Sequence, residues 1–451
     1  MLGLRFASSQ PTDAVNFFPS KTSSWLCKRF IAIPMTDACF AADQGLISLD
    51  EALARLLAEP VPKPDIRETP LREAYGRILA RDIRSPIHVP GHNNSAMDGY
   101  AVHSADLSPD GDTRLPITQR IPAGNPGKPL TRGECARIFT GAPIPPGADA
   151  VIMQEQATVD GDAAVLHTPV HPGENIRPAG NDITANDIIL TAGVRLNPGH
   201  IGLIASVGLT SVAVYERPRI AILSTGDELR EPGESLRPGQ IYNPNRYTLF
   251  PLLEGLGCEP LDLGRVADTR AATLAALETA AREADVILTT GGVSVGEEDH
   301  VRAAVETLGR LDLWRIAVKP GKPFAFGRIG DALFLGLPGN PVSVFVTTLL
   351  LARPLLLRRM GARTPIPQPL PIAAGFSRAD PSPRREFLRV QLRPSKDDAD
   401  KLVAVPHERQ SSDVLSSTAW ADGLAEVPEN RTLNEGDPVR YYPLSSLLHP
   451  G

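Results

Sequence analysis

Val286-Ile287-Leu288-Thr289-Thr290-Gly291-Gly292-Val293-Ser294-Val295-Gly296 runs from an apolar, β-branched pentad into two glycines and then small residues. A run of this length without polar alternation reads as a strand buried on both faces. The glycines end it, and the Glu297-Glu298-Asp299 triplet opens a helix predicted to reach Leu308. The same rhythm extends in both directions. Upstream come a strand at Arg219–Ser224, a helix from Asn245 to Leu256 capped by Asn245 and ended by Gly257, and a strand at Cys258–Leu263. A further helix is predicted to be capped by Asp268 and to reach Glu283. Downstream lie strands at Leu313–Val318, Phe324–Ile329 and Ala332–Leu337, then a helix after Gly339-Asn340-Pro341. Buried strands alternating with helices specify a doubly wound parallel sheet, and such sheets bind ligands at the carboxyl ends of their strands.

On either side the texture changes. Ser48-Leu49-Asp50-Glu51 fits a capping box, followed by an apolar face of Leu49, Leu53, Leu56 and Leu57 that stops at Pro60. Thr69-Pro70 reads as the start of a second helix burying Leu71, Ala74, Tyr75 and Ile78. From Ile83 to Asn186, short β-like runs such as Ala136–Thr140, Ala150–Met153 and Ala163–Leu166 are broken by Gly, Pro, Asn and Asp, which predicts a mostly β domain. After a Pro-rich linker at Thr364–Pro371, alternating runs at Phe387–Leu392, Leu402–Val405, Gly423–Val427 and Pro438–Tyr442 predict a small β-barrel. The expected domains are an extension at 1–46, a discontinuous elongated linking domain at 47–82 and 187–216, and a β-rich insert at 83–186. The α/β domain at 217–363 and the barrel at 364–451 complete the multidomain chain.

Composition bounds what such a chain can do. Its 451 residues carry 46 Lys+Arg against 52 Asp+Glu, a net charge of −6, which argues against a general nucleic-acid or membrane-surface binder. Cys27, Cys39, Cys135 and Cys258 show no CxxC spacing, so neither a zinc site nor a disulfide framework is expected, and a reducing cytoplasm fits. The longest apolar stretch, Pro341 to Leu357, includes Ser343, Arg353 and Pro354 and reads as a buried helix, not a membrane span. The first 46 residues only partly match a transit peptide, and a start at Met35 is the simpler expectation.

Four segments stand where the sheet's strands should end. In Ser224-Thr225-Gly226-Asp227-Glu228-Leu229, two adjacent acids after a glycine turn suit Mg²⁺, although a turn with helix-start acids explains them as well. Between the Gly291-Gly292 turn and its helix, small residues including Ser294 expose backbone N–H groups to a phosphate, with Asp299 the best acid for a metal or a ligand amide. Lys319-Pro320-Gly321-Lys322 offers two cations on a stiff turn, against the usual fate of lysine as a solvated side chain. Leu337-Pro338-Gly339-Asn340-Pro341-Val342-Ser343 presents a helix start to the same edge, or is simply a tight connection. In the β domain, Asn94-Ser95-Ala96-Met97-Asp98-Gly99-Tyr100-Ala101-Val102 and Thr140-Gly141-Ala142-Pro143 read by composition as turns.

Taken together, these segments are far more specific. With TGAPIPPGADAVIMQE from Thr140 to Glu155, they occur in the order and spacing of the MoeA-type molybdopterin molybdenumtransferases, which include the gephyrin E domain. The chain resembles that family from about Leu46 to Leu447. The resemblance implies an L-shaped, four-domain subunit that forms a homodimer. It also implies that Mg²⁺ and molybdate cleave adenylylated molybdopterin, releasing AMP and leaving molybdenum on the dithiolene. By position it assigns catalytic roles to Asp98, Thr140, Asp182, Glu228, Asp268 and Asp299, with Asp227, Glu228 and Asp299 around the metal. Substrate contacts are expected from Gly291, Gly292, Ser294, Lys319, Lys322, Pro338 and Pro341. Arg384 or Arg389 and Ser412 resemble the family's molybdate-binding pair. Asn243 and Asn181 stand where the family often has acids and are left out of the ligand set. The usual glycine is missing from Glu408-Arg409-Gln410-Ser411-Ser412. A molybdopterin adenylyltransferase and molybdoenzyme chaperones are the protein partners this family suggests.

Two other readings compete. An enzyme that adenylylates molybdopterin would be the sheet domain alone, which the β domain and barrel argue against. A non-catalytic scaffold would not need the Asp98, Glu228 and Asp299 motifs.

Overall fold

In the computed structural model, which describes residues 45–61, 64–292 and 300–448, Val286–Thr290 is a fully buried strand at the centre of a six-stranded sheet. Residues 1–44, together with Ser294 and Asp299, lie outside the described residues. Arg219–Thr225 and Ala332–Leu337 flank the central strand in parallel, and Glu259–Val266 extends the parallel part beyond Arg219–Thr225. The pentad has no polar alternation because both faces are covered. Ile222, Leu288 and Leu335 join one apolar core with the helical run from Pro341 to Arg359, whereas Leu223, Ile287 and Phe334 join a second with the helices Arg270–Glu283 and His300–Leu308. That helical run is the apolar stretch read as a buried helix, and it is buried here.

The sheet departs from the all-parallel expectation at one side. Pro323–Ile329 runs antiparallel to Ala332–Leu337, and Gly309–Arg315 runs antiparallel to Pro323–Ile329. These connections are too short for a crossover helix, so the chain turns back as hairpins. The predicted strand Leu313–Val318 is displaced to Gly309–Arg315, with a separate short strand at Val318–Lys319. Helix starts shift by one or two residues. Asn243, not Asn245, caps Pro244–Leu256, and Thr269, not Asp268, caps Arg270–Glu283. Gly257 ends the first of these in a left-handed conformation, as its position after the last apolar residue implies.

Leu49–Ala58 is the predicted first helix, with the Ser48 hydroxyl accepting from the Glu51 N–H, and Leu49, Ala52 and Leu56 enter the sheet core. The second predicted helix is absent. Ile66–Pro70 is a strand paired with Ser211–Tyr215, followed by one 3₁₀ turn at Leu71–Glu73, and Tyr75 is exposed. Thr-Pro reads as a cap only until a partner strand arrives about 140 residues later. Around this pair Leu79, Ile83, Leu190, Leu196 and Val214 form a separate core. The 83–186 segment holds a six-stranded, mainly antiparallel sheet with apolar clusters of its own. Five C-terminal strands close on themselves into the predicted barrel, its first strand, Leu370–Ala374, beginning inside the expected linker. Val318–Lys319 leaves the α/β domain to pair in parallel with Arg385–Pro394 of that barrel.

Candidate functional site

Parallel register sets the ends of three strands side by side. Ser224 pairs with Thr290 and Thr290 with Leu337, so the Gly226-Asp227-Glu228, Gly291-Gly292 and Pro338-Gly339-Asn340-Pro341 turns leave from one edge. Val266 pairs with Thr225, which brings Asp268 to this edge as well. Arg315 pairs with Pro323 and Ala325 with Gly336, so the 316–322 loop emerges there too, despite the antiparallel strands. All four segments singled out by sequence therefore meet at the carboxyl edge.

The turns are stitched together at close range. Gly291 N–H donates to the Leu337 carbonyl (3.2 Å), and Asn245 Nδ2 donates to the Gly339 carbonyl (2.7 Å). Gly292 has φ +67°, and a Cβ there would lie 2.5 Å from Val301 Cγ2, which excludes any larger residue without a shift. Among the described residues, the buried atoms Asn243 Nδ2, Asn245 Oδ1 and Thr289 Oγ1 have no hydrogen-bond partner. Buried polar atoms are ordinarily satisfied, so a polar ligand at this edge suits them. The sequence marks Asn245 only as a helix cap; its role as a strut to Gly339 has no local signal.

Asp227, Glu228 and Asp268 are exposed. The Glu228 carboxylate folds back over Gly226, and the Asp227 carbonyl accepts from Arg230 Nη1 (3.0 Å). No group of three His, Cys, Asp or Glu side chains arranged for a metal exists among the described residues. Two carboxylates on one turn nevertheless fit Mg²⁺, which takes one or two carboxylates together with substrate phosphates and water.

The basic loop is anchored from outside its own domain. Lys319 Nζ meets Glu386 Oε1 at 3.0 Å, and Arg378 Nη2 meets Glu386 Oε2 at 2.6 Å; Glu386 is buried in the barrel. Lys319 stays partly exposed, so a single carboxylate faces two cations. Lys322 is half-buried, and its carbonyl accepts from Ile316 N–H. Gly321 between the lysines is buried, with φ +109° and the Thr347 methyl beneath it. Pro338 is buried, and Pro341 begins the following helix.

The barrel supplies a second contact. The Ser412 hydroxyl accepts from Asn340 Nδ2 (3.0 Å) and its carbonyl accepts from Val342 N–H (3.1 Å), which seats Ser412 on the 338–341 turn. Arg389 is fully buried and donates to Ser417 Oγ, the Phe387 carbonyl and the Ser411 carbonyl. Burial lowers its pKa to about 10, so it stays charged at neutral pH while bracing the Ser411–Ser412 segment from behind. Half-buried Arg384 donates its backbone N–H to Ser382 Oγ.

In the β domain, Asp98 and Thr140 come together although 42 residues separate them. The Thr140 N–H (2.7 Å) and hydroxyl (2.8 Å) both donate to Asp98 Oδ1. These bonds, with Arg137 nearby, hold the Asp98 carboxyl below the ordinary carboxylate range. Asp182 is exposed on the 178–183 loop, its N–H bonded to the Val89 carbonyl. The apolar clusters of this domain share no residue with those of the α/β sheet.

Comparison with known proteins agrees in order and extent. Residues 47–208 match the MoeA N-terminal region (domain I and II), 221–358 a probable molybdopterin binding domain, and 372–444 the MoeA C-terminal region (domain IV). A Haemophilus influenzae protein named molybdopterin molybdenumtransferase is 45% identical over 321 residues, 70% of this chain and 79% of its own. A Mycobacterium tuberculosis protein named molybdopterin molybdenumtransferase 2 is 33% identical over 80% of this chain and 90% of its own. The crystal structure of a molybdopterin biosynthesis MoeA protein from Pyrococcus horikoshii superposes with a TM-score of 0.77 at 29% identity, covering 88% of this chain and all of the other. A second Pyrococcus MoeA structure gives 0.73 at 34% identity. With its three regions matched in order and its carboxyl-edge turns in place, the chain belongs to the MoeA family of molybdopterin molybdenumtransferases.

Proposed function

We propose that this chain is a transferase that inserts molybdate into adenylylated molybdopterin with release of AMP. One observation carries the reading beyond the relatives' names: the basic Lys319–Lys322 loop and Ser412 of the barrel converge on the glycine- and proline-bearing turns of the sheet's carboxyl edge. That is where an open α/β sheet binds its ligand. The presence of all three family regions favours this function over adenylylation by a sheet domain alone.

Charge dictates the division of labour. Molybdate is a dianion and must approach a phosphoanhydride, so like charges have to be screened. Lys319 and Lys322 supply fixed positive charge, and Glu386, itself braced by Arg378, holds Lys319 in place. Asn340 and Ser412 shape the adjoining wall, with Arg389 behind it. The free polar atoms of Asn245 and Thr289 suit the hydrogen-bonding edge of a pterin, and the Gly291–Gly292 and Pro338–Pro341 turns let it lie against backbone. Asp227 and Glu228 would hold Mg²⁺, with Asp299 as a further candidate; when bound, the ion neutralises developing charge on phosphate oxygens. Asp98 with Thr140, together with Asp182 and Asp268, complete the proposed set of catalytic residues.

The domain limits proposed are 47–82 with 187–216, 83–186, 217–363 and 364–451. A cytoplasmic homodimer in which Asp98 serves the partner's site fits the separate core of the β domain. An adenylyltransferase delivering substrate and chaperones accepting product are proposed partners. The test is to incubate the purified protein with adenylylated molybdopterin, Mg²⁺ and molybdate and to measure AMP. Release that depends on molybdate supports the function, and none under any metal condition refutes it.

A further inference from the structure

One face of the β domain carries a cationic arrangement that the resemblance assigned no role. Arg120 and Arg137 are paired residues on neighbouring strands, and Tyr100 pairs with Arg137 from the other side. One step along, past the Gly99–Ile138 pair, come Asp98 and Phe139. The result is a row of Arg120, Arg137 and Tyr100 beside a row of Phe139 and Asp98. The Arg120 guanidinium lies 4.4 Å from the Phe139 ring centre. That of Arg137 lies 4.8 Å from the same ring and 5.2 Å from the ring of Tyr100.

The two arginines differ in what they have left to offer. Arg137 is committed: Nη1 donates to the Gly99 carbonyl (3.0 Å) and Nη2 to Gln154 Oε1 (2.6 Å). Arg120 is exposed and, among the described residues, makes no ion pair or side-chain hydrogen bond; its contact is the ring of Phe139. A guanidinium laid on an aromatic face has fewer conformations to lose and keeps its N–H edge directed outward. The pair carries two positive charges against the one negative charge of Asp98, whose Oδ1 is already bonded twice by Thr140. An exposed, stacked guanidinium with all five donors open suits a planar or tetrahedral oxyanion, which it can grip bidentately.

The geometry points to Arg120, steered by Phe139 and Arg137, as a binding residue for the phosphate of the substrate's nucleotide half. This assignment rests on the proposed function, since it takes Asp98 and Thr140 to border the reacting phosphoanhydride. Arg120 would grip a phosphate oxygen while Asp98, one row away, faces the rest of the ligand.

The test uses full-length wild-type protein and Arg120→Gln and Arg120→Lys variants, titrated by calorimetry with AMP, inorganic phosphate and adenosine. AMP and phosphate should bind about tenfold or more weakly to Arg120→Gln, the scale of one charge-assisted hydrogen bond. Adenosine binding should not change. Arg120→Lys should fall between, because a point charge replaces a fork. The melting temperature should stay constant in both, because the side chain is exposed. Equal AMP and phosphate binding by wild type and Arg120→Gln overturns the assignment, as does a wild type that binds neither. Dimer dissociation in Arg120→Gln with unchanged phosphate binding also overturns it, pointing to an acidic surface of a second copy as the true contact. AMP release measured alongside separates the two readings. Release by wild type without any effect of Arg120→Gln on binding sinks this inference alone. Absence of release sinks the proposed function, while the phosphate titration still decides the role of Arg120.

Discussion

Alanine at Gly321 should distort the basic loop, and a second substitution should repair it. The glycine has φ +109°, and a Cβ built there would lie 2.3 Å from Cγ2 of Thr347, a fully buried side chain. The backbone conformation alone costs an alanine about 1–3 kcal/mol. Forcing its Cβ into the Thr347 methyl adds about 1–3 kcal/mol, because the fully buried side chain is packed on every side and cannot move away without displacing its neighbours. Thr347→Ser deletes only that methyl and keeps the hydroxyl, which donates to the Ser343 carbonyl at 2.6 Å. By itself it should cost about 1 kcal/mol, the value of one buried methyl. In the double variant the new Cβ occupies the vacated space, so only the backbone term of about 1–3 kcal/mol remains. The double variant should therefore be more stable than Gly321→Ala, with a coupling of about 2–4 kcal/mol. Urea unfolding of the four proteins measures this. Molybdate binding should follow the same order, because Lys319 and Lys322 flank the strained residue. A double variant no more stable than Gly321→Ala would refute the steric account of this loop.

Lys322→Gln and Lys319→Gln should each weaken molybdate binding by about 1–3 kcal/mol with little change in melting temperature, as measured by calorimetry and thermal unfolding. Lys319→Gln leaves Glu386 paired with Arg378. Adding Arg378→Gln strands a buried carboxylate and should cost about 3–5 kcal/mol of stability. Thr140→Val keeps the backbone N–H on Asp98 and removes the hydroxyl, so the carboxyl titration followed by carbon NMR should move up towards the ordinary range. Because the folded-state value is depressed, whatever stability Asp98 contributes is complete above the ordinary carboxylate range and is lost as pH falls through the lowered value. An unchanged titration in this variant would mean that the hydroxyl bond contributes nothing. Inactive Asp98→Ala and Asp299→Ala homodimers, unfolded and refolded together, should regain roughly a quarter of wild-type AMP release, since about half the dimers are mixed and each has one intact site. No recovery in demonstrated heterodimers would place Asp98 at a site in its own subunit.

Local sequence determined the parts of this molecule in which neighbouring residues decide the outcome. The Val286–Thr290 pentad could only be a strand buried on both faces, and Gly257 and Ser48 marked helix ends because capping involves residues three or four apart. The turns of the ligand edge were legible for the same reason, each being a strand followed at once by glycine or proline. What depends on a distant partner was not legible. Thr69-Pro70 carries a helix-start signal, yet Ser211–Tyr215 turned it into a strand, because pairing a whole edge outweighs a single cap. The reversed strand Pro323–Ile329, antiparallel to both of its neighbours, followed from connection length, which composition does not show. Lys319 and Lys322 could be seen as a pair of charges, but not that Glu386, 67 residues on, would clamp the first of them. Ser412 met Asn340 only once the barrel was seated on the sheet's carboxyl edge, and Arg389 went under Ser411 rather than to the surface only once the barrel had closed. Contacts of that kind depend on the register between domains. Register is set by the sum of all packed surfaces, and no stretch of neighbouring residues encodes it.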